Sequence, residues 1–265
     1  MTSELGFWIT IGIGIAVSFS VTSASESKAD ISAISPSQAP NCSENGYMLV
    51  MGGVENPERI PDPKLAAQYG PAVWSLVESY DAIYLVRKEP DVIYEGEWPN
   101  WKLVVISKWP CMETGNEFWH SQAYQHEVKP LRKNAGVYDV GMFDAIPEPP
   151  PVKMKKPAPK ACDSPFLVLA LTKSTDRDNY GAYNEALRKT QLVFRAGAEF
   201  LFTGRPAKVL EGNWPEGYNA LVSAYPCREA WEAVYYGDAY QSIVKPVRNG
   251  LVDMIILGFD AERTE

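Results

Sequence analysis

One spacing constrains this chain more than any other feature: its two halves repeat each other 116 residues apart. Glu95-Gly96-Glu97-Trp98-Pro99 is answered by Glu211-Gly212-Asn213-Trp214-Pro215, Pro110-Cys111 by Pro226-Cys227, and Ala123-Tyr124-Gln125 by Ala239-Tyr240-Gln241. Val128-Lys129-Pro130 with Arg132 returns as Val244-Lys245-Pro246 with Arg248, and Phe143-Asp144 as Phe259-Asp260. The offset holds through all of these without a gap, which marks an internal duplication. Whatever one half folds into, the other must fold into as well.

Each copy reads as strand, helix, two strands, helix, strand. In the first, Tyr47–Val54 is an apolar strand, and Leu65, Tyr69, Val73 and Val77, four apart, predict a helix over Pro63–Glu78. Ile83–Arg87 is a strand extended through Asp91 to Glu95, and Leu103–Trp109 is a central strand. Glu113–Val128 holds a helix with an interruption near His120-Ser121, and Tyr138–Asp144 closes the unit. The second copy repeats the order over Phe166–Leu171, Tyr180–Ala196, Phe200–Glu211, Ala220–Tyr225, Arg228–Val244 and Met254–Asp260. The class is therefore α+β, with two ferredoxin-like βαββαβ domains over residues 46–146 and 164–262, each an antiparallel sheet with both helices on one face. Residues 147–163 between them carry Pro147, Pro149, Pro150, Pro151, Pro157 and Pro159. Proline neither continues a helix nor donates to a ladder, so this is a semi-rigid spacer.

The N-terminus adds a destination. Leu5–Val21 is apolar or small throughout and is followed by Thr22-Ser23-Ala24, a small-x-small cleavage pattern. Residues 1–24 read as a signal peptide, although Met1-Thr2-Ser3-Glu4 lacks the usual basic residue. The alternative is a retained anchor at the short limit of a membrane span, which would be the only membrane contact. Residues 25–45 read as a mobile leader. In either case the body is exported, periplasmic or secreted. The net charge of -8, with Lys and Arg clustered only at Lys153-Met154-Lys155-Lys156, argues against nucleic acid as a partner.

At these residues the sequence resembles a known family. The arrangement Glu-Gly, strand, aromatic-Pro-x-x-Glu, Trp or Tyr, Tyr-Gln, Arg, Gly looks like the family catalogued as domain of unknown function 1330, over roughly 46–144 and 164–260. The resemblance implies the dimeric α/β-barrel superfamily, in which two single-domain chains pair their sheets into a barrel. Here it implies that one chain supplies both halves, as a monomeric pseudo-dimer or a higher homo-oligomer. It also implies cofactor-free isomerases, cyclases and monooxygenases as precedents, with a cavity between sheet and helices. Two departures stand out. An Arg often found at the start of the family's third strand is absent at Lys102 and Asn219, and this chain has four Cys.

Cys42 and Cys162 each precede a first strand, and Cys111 and Cys227 each follow a third strand. In a ferredoxin-like sheet those strands are antiparallel neighbours, so the start of one lies beside the end of the other. Bridges Cys42–Cys111 and Cys162–Cys227 follow. The rival pairing joins Cys42 to Cys162 and Cys111 to Cys227, and free buried thiols, which export disfavours, are the remaining alternative.

The search for chemistry returns mostly exclusions. His120 and His126 are six apart and lack a third ligand, so no metal is expected. No Gly-x-Gly-x-x-Gly follows a strand and no Gly-x-Ser-x-Gly elbow exists, so neither nucleotide nor any other cofactor is expected. What remains is a repeated polar and aromatic set. Glu95 and Glu211 each end a strand and suit a general base if desolvated, or a solvated turn. Arg132 and Arg248 suit an anion clamp, or pairing with those glutamates. Tyr124 and Tyr240 suit proton donation or stapling of helix to sheet. Trp98, Trp109, Trp119, Trp214 and Tyr235 suit a cavity lining or plain core. His120 faces Tyr236 across the repeat and is the one titratable asymmetry. These assignments place any active or more selective site in the first copy, with Glu95, His120, Tyr124 and Arg132. The expected partner is a small apolar or aromatic molecule, with a noncatalytic binding or structural protein as the alternative to an enzyme.

Overall fold

The computed structural model describes residues 42–53, 62–97, 103–146, 162, 164–176 and 180–261, all within one compact unit. Residues 1–24, read above as a signal peptide, most of the stretches read as leader and linker, and Trp98 lie outside the described residues. The first half contains β1 (Gly46–Gly52), α1 (Pro63–Glu78), β2 (Ile83–Lys88), β3 (Val92–Glu95), β4 (Leu103–Trp109), α2 (Met112–His120) and β5 (Tyr138–Asp144). The second contains β6 (Phe166–Ser174), α3 (Tyr180–Thr190), α4 (Leu192–Arg195), β7 (Glu199–Gly204), β8 (Lys208–Glu211), β9 (Tyr218–Tyr225), α5 (Arg228–Tyr235), α6 (Lys245–Arg248) and β10 (Val252–Asp260).

Two five-stranded antiparallel sheets result, ordered β2-β4-β1-β5-β8 and β3-β10-β6-β9-β7. The first four strands of the first sheet have the ferredoxin-like order, and β7-β9-β6-β10 repeats it in the second. Strand alternation then builds a barrel. Tyr47, Leu49 and Met51 of β1 point inward and meet Leu167, Leu169 and Leu171 of β6 in one core between the sheets. Met48 lies on the outer face of β1 beneath α1 and α2, and Val168 and Ala170 lie on that of β6 beneath the helices of the second half. One chain thus supplies both halves of the barrel, and the two anticipated bridges, Cys42–Cys111 and Cys162–Cys227, are both formed.

The fifth strand of each sheet departs from the sequence reading. Ile83–Glu95 is not one strand in one sheet. After β2 the chain turns at Glu89-Pro90, and β3 crosses to pair with β10, Glu95 opposite Ile256 and Val92 opposite Gly258. Arg205-Pro206 does the same, sending β8 to β5 with Glu211 opposite Val140. Proline offers no N–H to a ladder, so pairing with the home sheet stops there. Each half therefore lends a strand to the other.

Smaller differences have local causes. Asp62 accepts the Lys64 and Leu65 N–H groups and Pro63 occupies the first turn, which starts α1 as expected. The corresponding segment in the second half breaks at Gln191, which takes a left-handed conformation, so α3 and α4 replace one helix. The interruption after His120 is real. Ser121 leaves the helix with ψ 149, its hydroxyl donating to Phe118 O and accepting the Tyr124 N–H. A π-helical turn, Ala123–Val128, and a 3-10 turn, Lys129–Arg132, follow.

Candidate ligand site

The repeated Tyr-Gln and Glu-Gly pairs are explained by what they hold. Gln125 donates from its side chain to Trp119 O at 2.6 Å, and Gln241 to Tyr235 O at 2.5 Å. Each satisfies a carbonyl that the end of α2 or α5 leaves open. With the π-turns Ala123–Val128 and Tyr240–Val244 so anchored, Tyr124 and Tyr240 are buried, and Arg132 and Arg248 follow eight residues later, also buried. The crossing strands then deliver a carboxylate to each. Gly96 and Gly212 take φ of +80° and +74°, and any side chain there would collide with the Met254 or Tyr138 carbonyl of the other half. That contact seats Glu95 and Glu211 against the opposite half.

Glu95 therefore belongs with Arg248, at 2.5 Å, and with the Tyr235 hydroxyl, which donates at 3.1 Å. Arg248 also donates to Tyr240 Oη at 3.0 Å. Glu211 belongs with Arg132, whose Nη1 and Nη2 donate to its two oxygens at 2.8 and 2.7 Å, and with Lys129 at 2.7 Å. Arg132 Nη2 reaches Tyr124 Oη at 3.3 Å, and Tyr124 shares a hydrogen bond with Tyr69. The grouping of Glu95 with Tyr124 and Arg132 is thus undone by the strand exchange, and Glu211 takes its place.

A chamber of about 250 Å³ lies beside Arg132, between α1, α2 and the outer face of the first sheet. Its walls are Met48, Val50, Val73, Val77 and Val105, with the rings of Trp109, Phe118 and Trp119. Its polar end is Arg132 with Tyr69, Tyr124 and Tyr138, and the Arg132 guanidinium stacks 4.5 Å from the Tyr138 ring. Arg87 closes another side, 4.0 Å from the Trp74 ring and 5.1 Å from Tyr84. Of the anticipated residues the chamber gathers Trp109, Trp119, Tyr124 and Arg132, with Glu211 behind. His120 is exposed and does not line it, and Tyr236 is 62 % exposed. Trp214 belongs to the barrel core, against Phe143, its Nε1 donating to Tyr218 O. Tyr69, Tyr138 and Lys129 went unrecognised. Tyr69 stood in the four-residue spacing that predicted α1, and Lys129 in the repeated Val-Lys-Pro.

Burial pushes the Tyr69 and Tyr138 phenols above their ordinary 10, so both are protonated donors. Burial also raises Glu211, but hydrogen bonds from Arg132 and Lys129 outweigh it and hold the carboxyl below 4.5. Among the described residues no group of three or more His, Cys, Asp or Glu is placed to hold a metal ion.

A family model described as domain of unknown function (DUF1330) matches residues 47–146 and again 165–258. No curated protein matches the sequence. Among solved structures, a variant chlorite dismutase from Candidatus Nitrospira defluvii aligns over 83% of this chain and 92% of its own, at 9% identity and TM-score 0.49. A presumed monooxygenase from Lactobacillus acidophilus NCFM covers 84% of this chain and 100% of its own, at 12% identity and TM-score 0.43. An anthrone oxidase-like protein covers 86% and 94%, at 11% and 0.42. At these values the likenesses decide nothing about chemistry.

Proposed function

Because the chain belongs to the DUF1330 family in both halves, and that family name carries no activity, we propose from its residues that it is an exported binding protein for a small aromatic molecule, held in the first-half chamber. The observation that carries this reading is the chamber itself: apolar walls that include the rings of Trp109, Phe118 and Trp119, and one buried polar end. That is the composition of small-molecule sites. Binding is favoured over acid–base catalysis because Tyr69 and Tyr138 are pushed up and Glu211 is pushed down, each away from the neutral range a proton carrier needs. His120, away from the chamber, has no role in it.

Export rests on the apolar Leu5–Val21 with Thr22-Ser23-Ala24, and two disulfides agree with an oxidising compartment. No helix among the described residues is long and apolar enough to cross a membrane. Intact mass should begin at Ser25, and material still carrying Met1–Ala24 would count against a cleaved signal.

The direct test is native mass spectrometry of protein exported by its own host, followed by titration with the released compound. Trp109 and Trp119 line the chamber, so binding should change tryptophan emission. Val73→Trp, which fills the chamber, should abolish binding in a protein that still folds. Undiminished binding by that folded variant would place the ligand elsewhere.

A further inference from the structure

Resting on the ligand-site reading above, we infer that the chamber selects aromatic monoanions, an aryl carboxylate being the simplest, with the acid group received at Arg132. The charge of the lining points this way. Among the described residues, the ionisable side chains that line the chamber besides phenols are Arg87 and Arg132, and none is a carboxylate. Behind Arg132, Glu211 is shared by two cations, Arg132 and Lys129, leaving a surplus of one positive charge at the polar end.

Hydrogen bonding agrees. A guanidinium has five N–H groups. Nη1 and Nη2 of Arg132 serve both oxygens of Glu211, and Nη2 also serves Tyr124. Among the described residues the Nε–H finds no partner, and it is buried on a residue only 8 % exposed. Nε lies on the same edge of the guanidinium as Nη2, the edge that meets Tyr124, and Tyr124 lines the chamber. A buried donor left unmatched is unfavourable, and a carboxylate oxygen entering there answers it with a charge-assisted bond. The protonated Tyr69 and Tyr138 phenols add donors and no competing anion.

Size limits the rest of the molecule. A dry cavity of roughly 150 Å³ accommodates benzene, so about 250 Å³ suits one or two fused rings. The second half does not repeat the arrangement. Arg248 also has a buried, unpartnered Nε–H, but among the described residues no second cation pairs with Glu95, whose other oxygen takes the neutral Tyr235 hydroxyl.

The test titrates the full disulfide-bonded chain with 2-naphthoate, 2-naphthamide and 2-naphthylmethylamine by calorimetry. The expected order is naphthoate tighter than naphthamide by about tenfold, with the amine weakest. Lys129→Gln, at a partly exposed side chain, should weaken naphthoate by about fivefold and leave naphthamide unchanged. The double variant Arg132→Gln with Glu211→Gln, which leaves no buried charge unpaired, should erase the preference. Equal or tighter binding of naphthamide or the amine overturns the anion assignment while leaving the ligand site standing. So does indifference of naphthoate to Lys129→Gln. No binding by any of the three overturns both.

Discussion

The two halves share a frame and differ in what surrounds its buried arginine. Gly46, Gly115 and Met142 stand in the first half where Phe166, Trp231 and Gly258 stand in the second. The exchanges compensate. Met142 fills the space against Gly115, whereas Phe166 and the crossing Tyr94 lie against Gly258. Trp231 stacks 5.3 Å from Tyr235 and lies 5.5 Å from Tyr94. At these positions helix and sheet are thus close-packed in both halves by different volumes. Helix geometry then separates the halves. Unbroken α1 spans the chamber, whereas the break at Gln191 lets Leu187, Leu192 and Val193 pack onto the second core. The carboxylates follow suit: Trp119 has no hydroxyl, so Glu211 takes Lys129 as second partner, while Tyr235 serves Glu95 itself.

The staples should be indifferent to this difference. Their sequence separations, 69 and 65, are nearly equal. Chain entropy assigns each about 4 kcal/mol, so Cys42→Ser with Cys111→Ser should destabilise as much as Cys162→Ser with Cys227→Ser. Denaturant unfolding checks this. A clearly larger loss in one half would show that the halves do not unfold as one unit.

The crossed ion pairs should reveal the asymmetry. Removing one partner of a buried pair strands the other charge, at a cost of about 3 kcal/mol. Glu211→Gln strands Arg132 and repels it from Lys129, whereas Glu95→Gln strands Arg248 alone. The first should therefore destabilise more, by about 1 kcal/mol, in thermal melts at neutral pH. The pH dependence has a definite sign. With its folded pKa depressed, Glu211 contributes fully above its ordinary 4.5, and the contribution is lost as pH falls through the folded value. The gap between the parent and Glu211→Gln should hold from neutrality down to about pH 5 and close on further acidification. Asp139, raised by burial, has the opposite sign but is present in both proteins and cancels.

What the residues disclosed in advance follows from range. α1 was legible because the four-residue spacing of Leu65, Tyr69, Val73 and Val77 is contained within one helix. The repeat was legible because its Gly and Pro positions persist. The crossing of β3 was not, since its partner β10 lies some 160 residues along the chain and nothing local to Val92–Glu95 names it. Pairing of Arg with Glu was foreseeable, but which Arg was not: Arg132 is nearer in sequence, and the crossing presents Arg248. The chamber was the least legible feature. Tyr69, Val73 and Val77 announce a buried helix face, yet a cavity is a mismatch of volumes among several elements, and no period encodes it.

The smallest expected effect isolates the Trp119 and Tyr235 exchange. The Tyr235 hydroxyl donates toward Glu95 Oε2 and Tyr94 O, both at 3.1 Å. Tyr235→Phe removes that donor and keeps the ring, with its contacts to Trp231 and Tyr240. The loss should be about 1 kcal/mol, the net worth of one such bond. Lys245, 5.7 Å from the Tyr235 ring, stands where Lys129 stands in the first half and can swing toward the freed oxygen. If it does, Lys245→Met should cost more in the Tyr235→Phe background than in the parent, and a double-mutant cycle would read a coupling of about 0.5 kcal/mol or more. The second half would then have acquired the first half's charge pattern through one lost oxygen. Strict additivity would mean that Lys245 is held off, and that the two carboxylate environments are fixed by the surrounding packing rather than by this hydroxyl.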